Sequence, residues 1–320
     1  MADDTYIIAG MWGTTNLTLS LVNSVSGAVK AEKVGPGISR LSGRSPEDVL
    51  FSIIDPWTSQ HEVLTVQLSG MVGSTLGWVD VPYLKCPLDI RDVSASTLDF
   101  TKRGMPISIV PGLSCENPFG HPDVMRGEET ELLSWTASAT DEQMKNSVLC
   151  IPGTHAKWVQ VKDARITSFF TSVVGEVYQV IAANGVLAKP HYQKSVKSSV
   201  AFFRAVKDIS AQPENLMNLL FTTRANTVVG RFTDADATDY LSGLLIGADV
   251  NAAIKCFGLD AMKRNPVPLI GASYLTERYK QGLSHWGVSA ETINAAEIGA
   301  KGLFSVFQSK VHAHPLEFAQ

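Results

Sequence analysis

Two short turns in this chain have a composition that suits phosphate. Gly13-Thr14-Thr15-Asn16 and Gly153-Thr154-His155 each follow an apolar run and precede an alternating segment. Successive backbone N–H groups in such a turn, together with Thr hydroxyls, form a concavity for an anion. Each turn alone also reads as an ordinary hairpin, for which Gly and Asn are favoured anyway. Two of them in matching places point to a polyphosphate clamped across a cleft between domains. A third group, Arg126-Gly127-Glu128-Glu129, opens a predicted helix. Acids in a first turn complement the helix dipole. A carboxylate beside an attacking hydroxyl is equally what phosphoryl transfer asks of a general base, with Arg126 holding the acceptor. Gly271-Ala272-Ser273, between a predicted strand and helix, suits contact with a nucleotide and also a plain connection.

The elements that must position these groups follow from apolar spacing. Tyr6 to Met11 reads as a buried strand, Leu17 to Val22 as an alternating one, and Ala28 to Val34 as a third. Ser45, Pro46 and Asp48 give the cap, first position and first-turn acid of a helix. Val63 to Leu68 is another buried strand. Gly70 to Pro111, with Gly70-Met71-Val72-Gly73, Leu76-Gly77-Trp78 and Tyr83, reads as an insertion that builds a site rather than core. Ile107 to Val110 is a short strand and Glu128 to about Ala137 a helix.

The opening pattern then recurs. Ser147 to Ile151, a Gly-Thr turn, Trp158 to Lys162, a turn at Asp163-Ala164, and Arg165 to Phe170 repeat strand, turn, strand, turn, strand. Each copy opens one half of the chain, which implies a duplicated domain. Helical spacing follows over Asn215 to Leu220, Asp239 to Phe257, Tyr274 to His285 and about Ala295 to Phe307, with a strand at Val267 to Ile270. In the last helix Gly299 and Gly302 admit close approach of another backbone.

The 320 residues suffice for two domains, and 45% hydrophobic with 18% charged residues is a globular composition. A net charge of −4 with both signs interspersed argues against nucleic acid as a partner. Cys86, Cys115, Cys150 and Cys256 are far apart and form no Cys-x-x-Cys pair, against disulfides or zinc. The start, Met1 to Thr5, is acidic where a signal peptide is basic, and no apolar run approaches the ~20 residues that span a bilayer. The expectation is a cytoplasmic protein with no membrane partner, and a homo-oligomer is open.

Taken in order, the segments resemble the 2-keto-3-deoxygalactonate kinase family (2-dehydro-3-deoxygalactonokinase). They are Trp12 to Asn16, Gly35 to Ile38, Gly70 to Gly73, Gly77-Trp78, Pro82-Tyr83, Val110 to Leu113 and Met125 to Thr130. Pro152 to His155 with Lys157 to Val159, Gly175-Glu176, Leu241 to Ala248 and the Gly271 turn complete the set. The resemblance implies an α/β fold of two ribonuclease-H-like domains, the actin-like ATPase fold, around an interdomain cleft. The domains would be 1–145 with the sugar-acid site and 146–320 with the nucleotide site, the last helix from about 295 packing back on the first. It further implies ATP and Mg²⁺ as cofactors and a small sugar acid as substrate. Gly13, Thr14, Thr15 and Asn16 would form the first phosphate loop, and Gly153, Thr154, His155 and Lys157 the second. Gly271, Ala272 and Ser273 would lie on the adenosine side, Glu128 would be the catalytic base, and Ser74, Trp78, Tyr83 and Arg126 would line the sugar-acid pocket. Glu176 would reach the metal through water.

The chain departs from the family at two positions. Met11 stands where the family has an Asp that organises hydrated Mg²⁺, and Thr18 where an Arg is expected. A thioether cannot replace a hard oxygen ligand. Asp3 and Asp4, at the far end of the strand, are more than roughly 20 Å away. Two readings follow: a kinase phosphorylating the terminal hydroxyl of a 2-keto-3-deoxy sugar acid, and a weakened paralogue that binds sugar acid or nucleotide without turnover.

Overall fold

The computed structural model describes residues 5–188 and 200–313. Asp3, Asp4 and the stretch of the second expected domain beyond 313 lie outside them. Two six-stranded sheets organise the chain. The first is built on β1 (Tyr6–Trp12), β2 (Asn16–Asn23), β3 (Val29–Pro36) and β4 (Val63–Gly70). Helix α1 (Pro46–Thr58) lies between β3 and β4. The Ser45 hydroxyl caps it by accepting the Asp48 N–H at 3.0 Å, with Pro46 at the first position.

The next segment contains β5 (Leu84–Lys85), β6 (Leu88–Asp89), α2 (Ile90–Ala95), β7 (Leu98–Lys102) and β8 (Met105–Ile109). Then come β9 (Leu113–Glu116), β10 (Pro122–Met125), α3 (Glu128–Thr136) and α4 (Asp141–Lys145). The second half runs β11 (Asn146–Ile151), β12 (Ala156–Lys162), β13 (Arg165–Ser172), α5 (Val174–Asn184), α6 (Val200–Ala211), α7 (Leu216–Val228), α8 (Asp234–Phe257) and α9 (Leu259–Arg264). It ends with β14 (Val267–Gly271), α10 (Ser273–Ser284), β15 (Ala290–Asn294) and α11 (Ala295–Ala313).

The two large sheets share a five-strand order and differ in the sixth strand, which lies beside β8 in the first and beside β13 in the second. The first is ordered β3-β2-β1-β4-β8-β7 and the second β15-β14-β11-β12-β13-β6. In each, the three opening strands pair antiparallel, a fourth joins the first strand in parallel, and a fifth joins the fourth in parallel. That is the ribonuclease-H-like arrangement twice over, and the protein has the α/β, actin-like fold. β1 is apolar throughout because both its faces are covered: Ile7 and Ala9 enter one core, Tyr6, Ile8 and Trp12 another.

The first of these cores joins the two halves. It gathers Ile7, Ala9 and Met125 with Leu149, Val159, Phe169 and Ile270 from the second sheet, and Ile298, Leu303 and Phe307 from α11. A Cβ on Gly302 of α11 would overlap the Thr130 carbonyl oxygen of α3, and one on Gly299 would overlap the Met11 sulfur. At residue 302 the neighbour is backbone, and only glycine allows that approach. Lys310 near the helix end bonds Asp99 at 2.6 Å and Ser108 at 2.9 Å.

One expectation from the sequence is corrected. The 70–111 region is not only an insertion around a site: Leu88, Ile90 and Val93 are buried in the shared core, and β6 pairs with β13 of the second sheet. Its apolar residues face structure contributed from far along the chain. No helix of the described residues is long and apolar enough to cross a membrane, and the four cysteines are free.

Candidate active site

Both Gly-Thr turns sit at the carboxyl end of the first strand of their sheet. In the first, the carbonyls of Gly13, Thr14 and Thr15 accept the amides of Ile38, Ser39 and Gly37 at 2.9–3.1 Å. The amides of Thr14 and Thr15 have no acceptor among the described residues. In the second, the Thr154 carbonyl accepts the Glu176 amide at 2.9 Å. The amides of Gly153, Thr154 and His155 are likewise without an acceptor among the described residues. Thr14, Thr15, Asn16, Thr154 and His155 are exposed. The turns are thus held from behind by their carbonyls and present donors outward, the geometry of an anion nest.

Gly175, at the start of α5, lies so close to the second turn that a Cβ would sit 2.7 Å from the Thr154 Cα. His155 Nε2 and Glu176 Oε2 share a hydrogen bond of 2.7 Å beside it. Gly271, Ala272 and Ser273 close β14 and open α10, and Gly271 abuts the Pro152 carbonyl next to the same turn.

A run of contacts connects the two halves of the site. Gly70, in left-handed backbone at φ 93°, packs on the Trp12 carbonyl. Gly127, at φ 111°, places its Cβ direction 3.6 Å from the Gly70 Cα. That conformation turns the chain from β10 into α3 and aims the next residue, Glu128, at the second half. Glu128 Oε1 stands 3.4 Å from the ammonium of Lys157, which is itself almost wholly buried. Glu128 Oε2 accepts the Arg126 amide at 3.1 Å.

The Arg126 guanidinium lies over the Tyr83 ring, 4.2 Å from its centroid, and donates from Nη2 to the Val81 carbonyl at 2.7 Å. Its Nε and Nη1 are buried and have no hydrogen-bond partner among the described residues. Nε and Nη1 lie on opposite edges of the guanidinium, so each is an unmet donor for a separate acceptor atom. Arg126 thus contacts Tyr83 through its guanidinium and Glu128 through its backbone amide.

Ser74 and Trp78 are spent differently. The Ser74 hydroxyl donates to the Met71 carbonyl at 2.8 Å, within its own turn. The Trp78 ring packs edge-on against Phe100 at 5.3 Å. They frame the loop that carries Gly73, whose backbone packs on the Arg126 guanidinium.

Glu128 is the expected base, and its neighbour Glu129 has different surroundings. Glu129 is fully buried, its Oε2 accepting the Gly127 amide at 2.6 Å and its Oε1 without a partner. Burial pushes its carboxyl up to about 8, with the Glu128 charge adding to the shift. Glu131 is raised to about 8 for the same reasons. Burial thus favours the protonated form of Glu129, while the Glu128 side chain keeps partial exposure.

The 2-keto-3-deoxy-galactonokinase family model matches residues 11–306. The chain belongs to that family. It is 30% identical over 301 residues to the 2-dehydro-3-deoxygalactonokinase of Escherichia coli (strain K12), covering 93% of this chain and 96% of that one. It also resembles a solved structure from Sinorhizobium meliloti, described as a "putative 2-dehydro-3-deoxygalactonokinase protein". There the TM-score is 0.86 at 30% identity, over 97% of this chain and 100% of the other. This family member is a kinase, a class in which ATP is the phosphate donor.

Proposed function

We propose that this kinase phosphorylates the terminal hydroxyl of a 2-keto-3-deoxy sugar acid, such as 2-dehydro-3-deoxygalactonate. The observation that carries the reading is the 3.4 Å contact between Glu128 at the start of α3 and Lys157 beside the second Gly-Thr turn. It sets a proton acceptor and a fixed cation side by side where the two halves meet.

Arg126 attracts the substrate carboxylate with its fixed positive charge and an unmet guanidinium N–H, and so orients the far hydroxyl toward Glu128. Tyr83 gives the sugar chain a flat wall. Glu128 accepts the hydroxyl proton as that oxygen bonds to the terminal phosphorus, and the bond to the ADP oxygen breaks. Lys157 then offsets negative charge at the transferred group. The outward amides of residues 14, 15 and 153–155 support the phosphates, and the 271–273 turn the adenosine.

Among the described residues no group of three His, Cys, Asp or Glu could hold a metal. The residues fit a magnesium ion carried on the nucleotide, with Glu176 as an outer contact through water. When bound, that ion neutralises phosphate charge. The same reading keeps 1–145 and 146–320 as acceptor and nucleotide domains in a cytoplasmic protein.

A second reading, binding without turnover, rests on Met11. Its sulfur packs against Gly299 of α11 and offers no oxygen where a carboxylate is expected. The test is ADP release with Mg·ATP over a panel of 2-keto-3-deoxy acids, with phosphorus NMR of the product. A phosphate monoester on the terminal oxygen supports the first reading. Tight binding of an acid with no ADP release supports the second.

A further inference from the structure

We propose that Asp123 is a positioning residue for phosphoryl transfer, locking the acceptor segment to the second phosphate hairpin. The proposal rests on Glu128 and Lys157 acting as described above. Asp123 lies on β10, five residues before Glu128. It shares a strand face with Met125, whose side chain is buried in the core between the halves. Both its oxygens are used across that boundary. Oδ2 accepts the Thr171 amide at 2.8 Å and Oδ1 accepts the Thr171 hydroxyl at 2.6 Å. Asn117 Nδ2 adds a contact to Oδ2 at 3.3 Å, tying in the β9–β10 turn. The tip of that turn also touches the second half, with the Phe119 ring edge-on to Phe170 at 5.4 Å.

Thr171 is not an arbitrary anchor. It is the cross-strand partner of Lys157 in the β12–β13 ladder, and directly opposite residues of an antiparallel pair point to the same face. The segment 123–128 therefore meets one rung of the second sheet twice, through Asp123–Thr171 and through Glu128–Lys157. The first crosslink is two hydrogen bonds to a carboxylate and fixes geometry. The second is a looser ion pair that has to open to a substrate. Beyond Thr171 the strand runs into Gly175 and Glu176, which hold the second turn from behind. Asp123 thus sets the distance between the base and the phosphate donors, a distance to which transfer rates are steeply sensitive.

The test compares kcat, both KM values and thermal stability for Asp123→Asn, Thr171→Val and Thr171→Ser. The substrates are Mg·ATP and 2-dehydro-3-deoxygalactonate. Asp123→Asn can keep the Thr171 amide on its oxygen, but it sets Nδ2 against the Val124 N–H that Oδ1 also accepts at 2.8 Å and removes the charge that strengthens both Thr171 bonds; its kcat is expected to fall about ten- to hundredfold. Both KM values should stay within about threefold, since no ligand contact is lost. Thr171→Val removes only the hydroxyl and should fall less. Thr171→Ser keeps both donors and should recover most of the rate.

The same substitution is made in a Glu128→Gln background, where positioning a missing base no longer matters. There Asp123→Asn should cost under about twofold. A folded Asp123→Asn enzyme with wild-type kcat, or a loss of equal size in both backgrounds, overturns the proposal. Should Asp123→Asn fail to fold, the Thr171→Val and Thr171→Ser pair decides, equal rates overturning it. Wild-type turnover by Glu128→Gln alone would instead overturn the reading of Glu128. A deep Glu128→Gln defect with no Asp123 effect would spare that reading and sink only the positioning role.

Discussion

Gly302→Ala tests how α3, and with it Glu128, is held. A methyl group at residue 302 would overlap the Thr130 carbonyl oxygen and lie 2.8 Å from its carbon and 3.2 Å from its Cα. All three atoms are backbone, so no rotamer change relieves the overlap. The helices must separate by several tenths of an ångström or more. In a free helix Gly→Ala gains about 1 kcal/mol. Overpacking against rigid structure costs about 1–3 kcal/mol and sometimes more. The upper end applies here, for a net loss of about 2 kcal/mol and a melting temperature lower by roughly 3 °C. Glu128 opens the displaced helix, so kcat should fall about tenfold. Gly299→Ala is the internal control. It has the same intrinsic gain but meets the flexible Met11 thioether, whose sulfur can move, so its stability should stay within about 1 kcal/mol of wild type. Urea denaturation and steady-state kinetics of both variants measure the contrast. A Gly302→Ala protein more stable than wild type and equally active would refute the seating of α11 on α3.

Met11→Asp should raise magnesium-dependent turnover about tenfold, equivalent to about 1.4 kcal/mol of transition-state stabilisation. It should also lower stability without Mg·ATP, since the carboxylate enters a packed apolar contact; brisk wild-type turnover left unchanged would show that position 11 does not serve the metal. Glu129 titrates near 8 in the folded protein against an ordinary value of 4.5. Between these values the folded state keeps a proton that the unfolded state has released, so this residue's contribution to stability falls as pH rises from about 4.5 to 8. Glu129→Gln does not titrate, and its stability relative to wild type should improve over that window by on the order of a few kcal/mol. Denaturation at pH 5 and 8.5 gives the answer, and a gap independent of pH would contradict the buried, protonated carboxyl.

What could be read from sequence divides along physical lines. Ser45-Pro46 carried its own helix start because a cap is a local interaction, and it holds in the structure. The repeated strand and Gly-Thr turn pattern was legible because each sheet must bury its first strand completely. Helix α6 went unread although its buried Ala201, Phe202, Ala205, Val206 and Ile209 follow helical spacing; that signal was present. Strand β15 gave none, since an edge strand of mixed exposure has no clean alternation. The core role of Leu88, Ile90 and Val93 depends on β13, far along the chain, and no local pattern encodes it. At the site, the Gly-Thr turns and the Arg-Gly-Glu start of α3 were visible as residue types. The Glu128–Lys157 approach, the orphaned Arg126 nitrogens and the Asp123–Thr171 lock were not. Each is a meeting of distant segments, 48 residues apart for Asp123 and Thr171. Glu128 and Glu129 are adjacent and of one residue type, and their difference in burial is not written in either.

The central claim is that Glu128 is the base, and the most direct measurement is turnover of Glu128→Gln beside its ATP affinity. Both are taken with Mg·ATP and 2-dehydro-3-deoxygalactonate. Glutamine keeps the size and the hydrogen bond to the Arg126 amide but cannot accept the proton. Turnover should fall about 10²–10⁴-fold, with nucleotide affinity within about twofold of wild type, because the phosphate-facing amides are untouched. Glu128→Gln enzyme turning over at the wild-type rate would contradict the assignment.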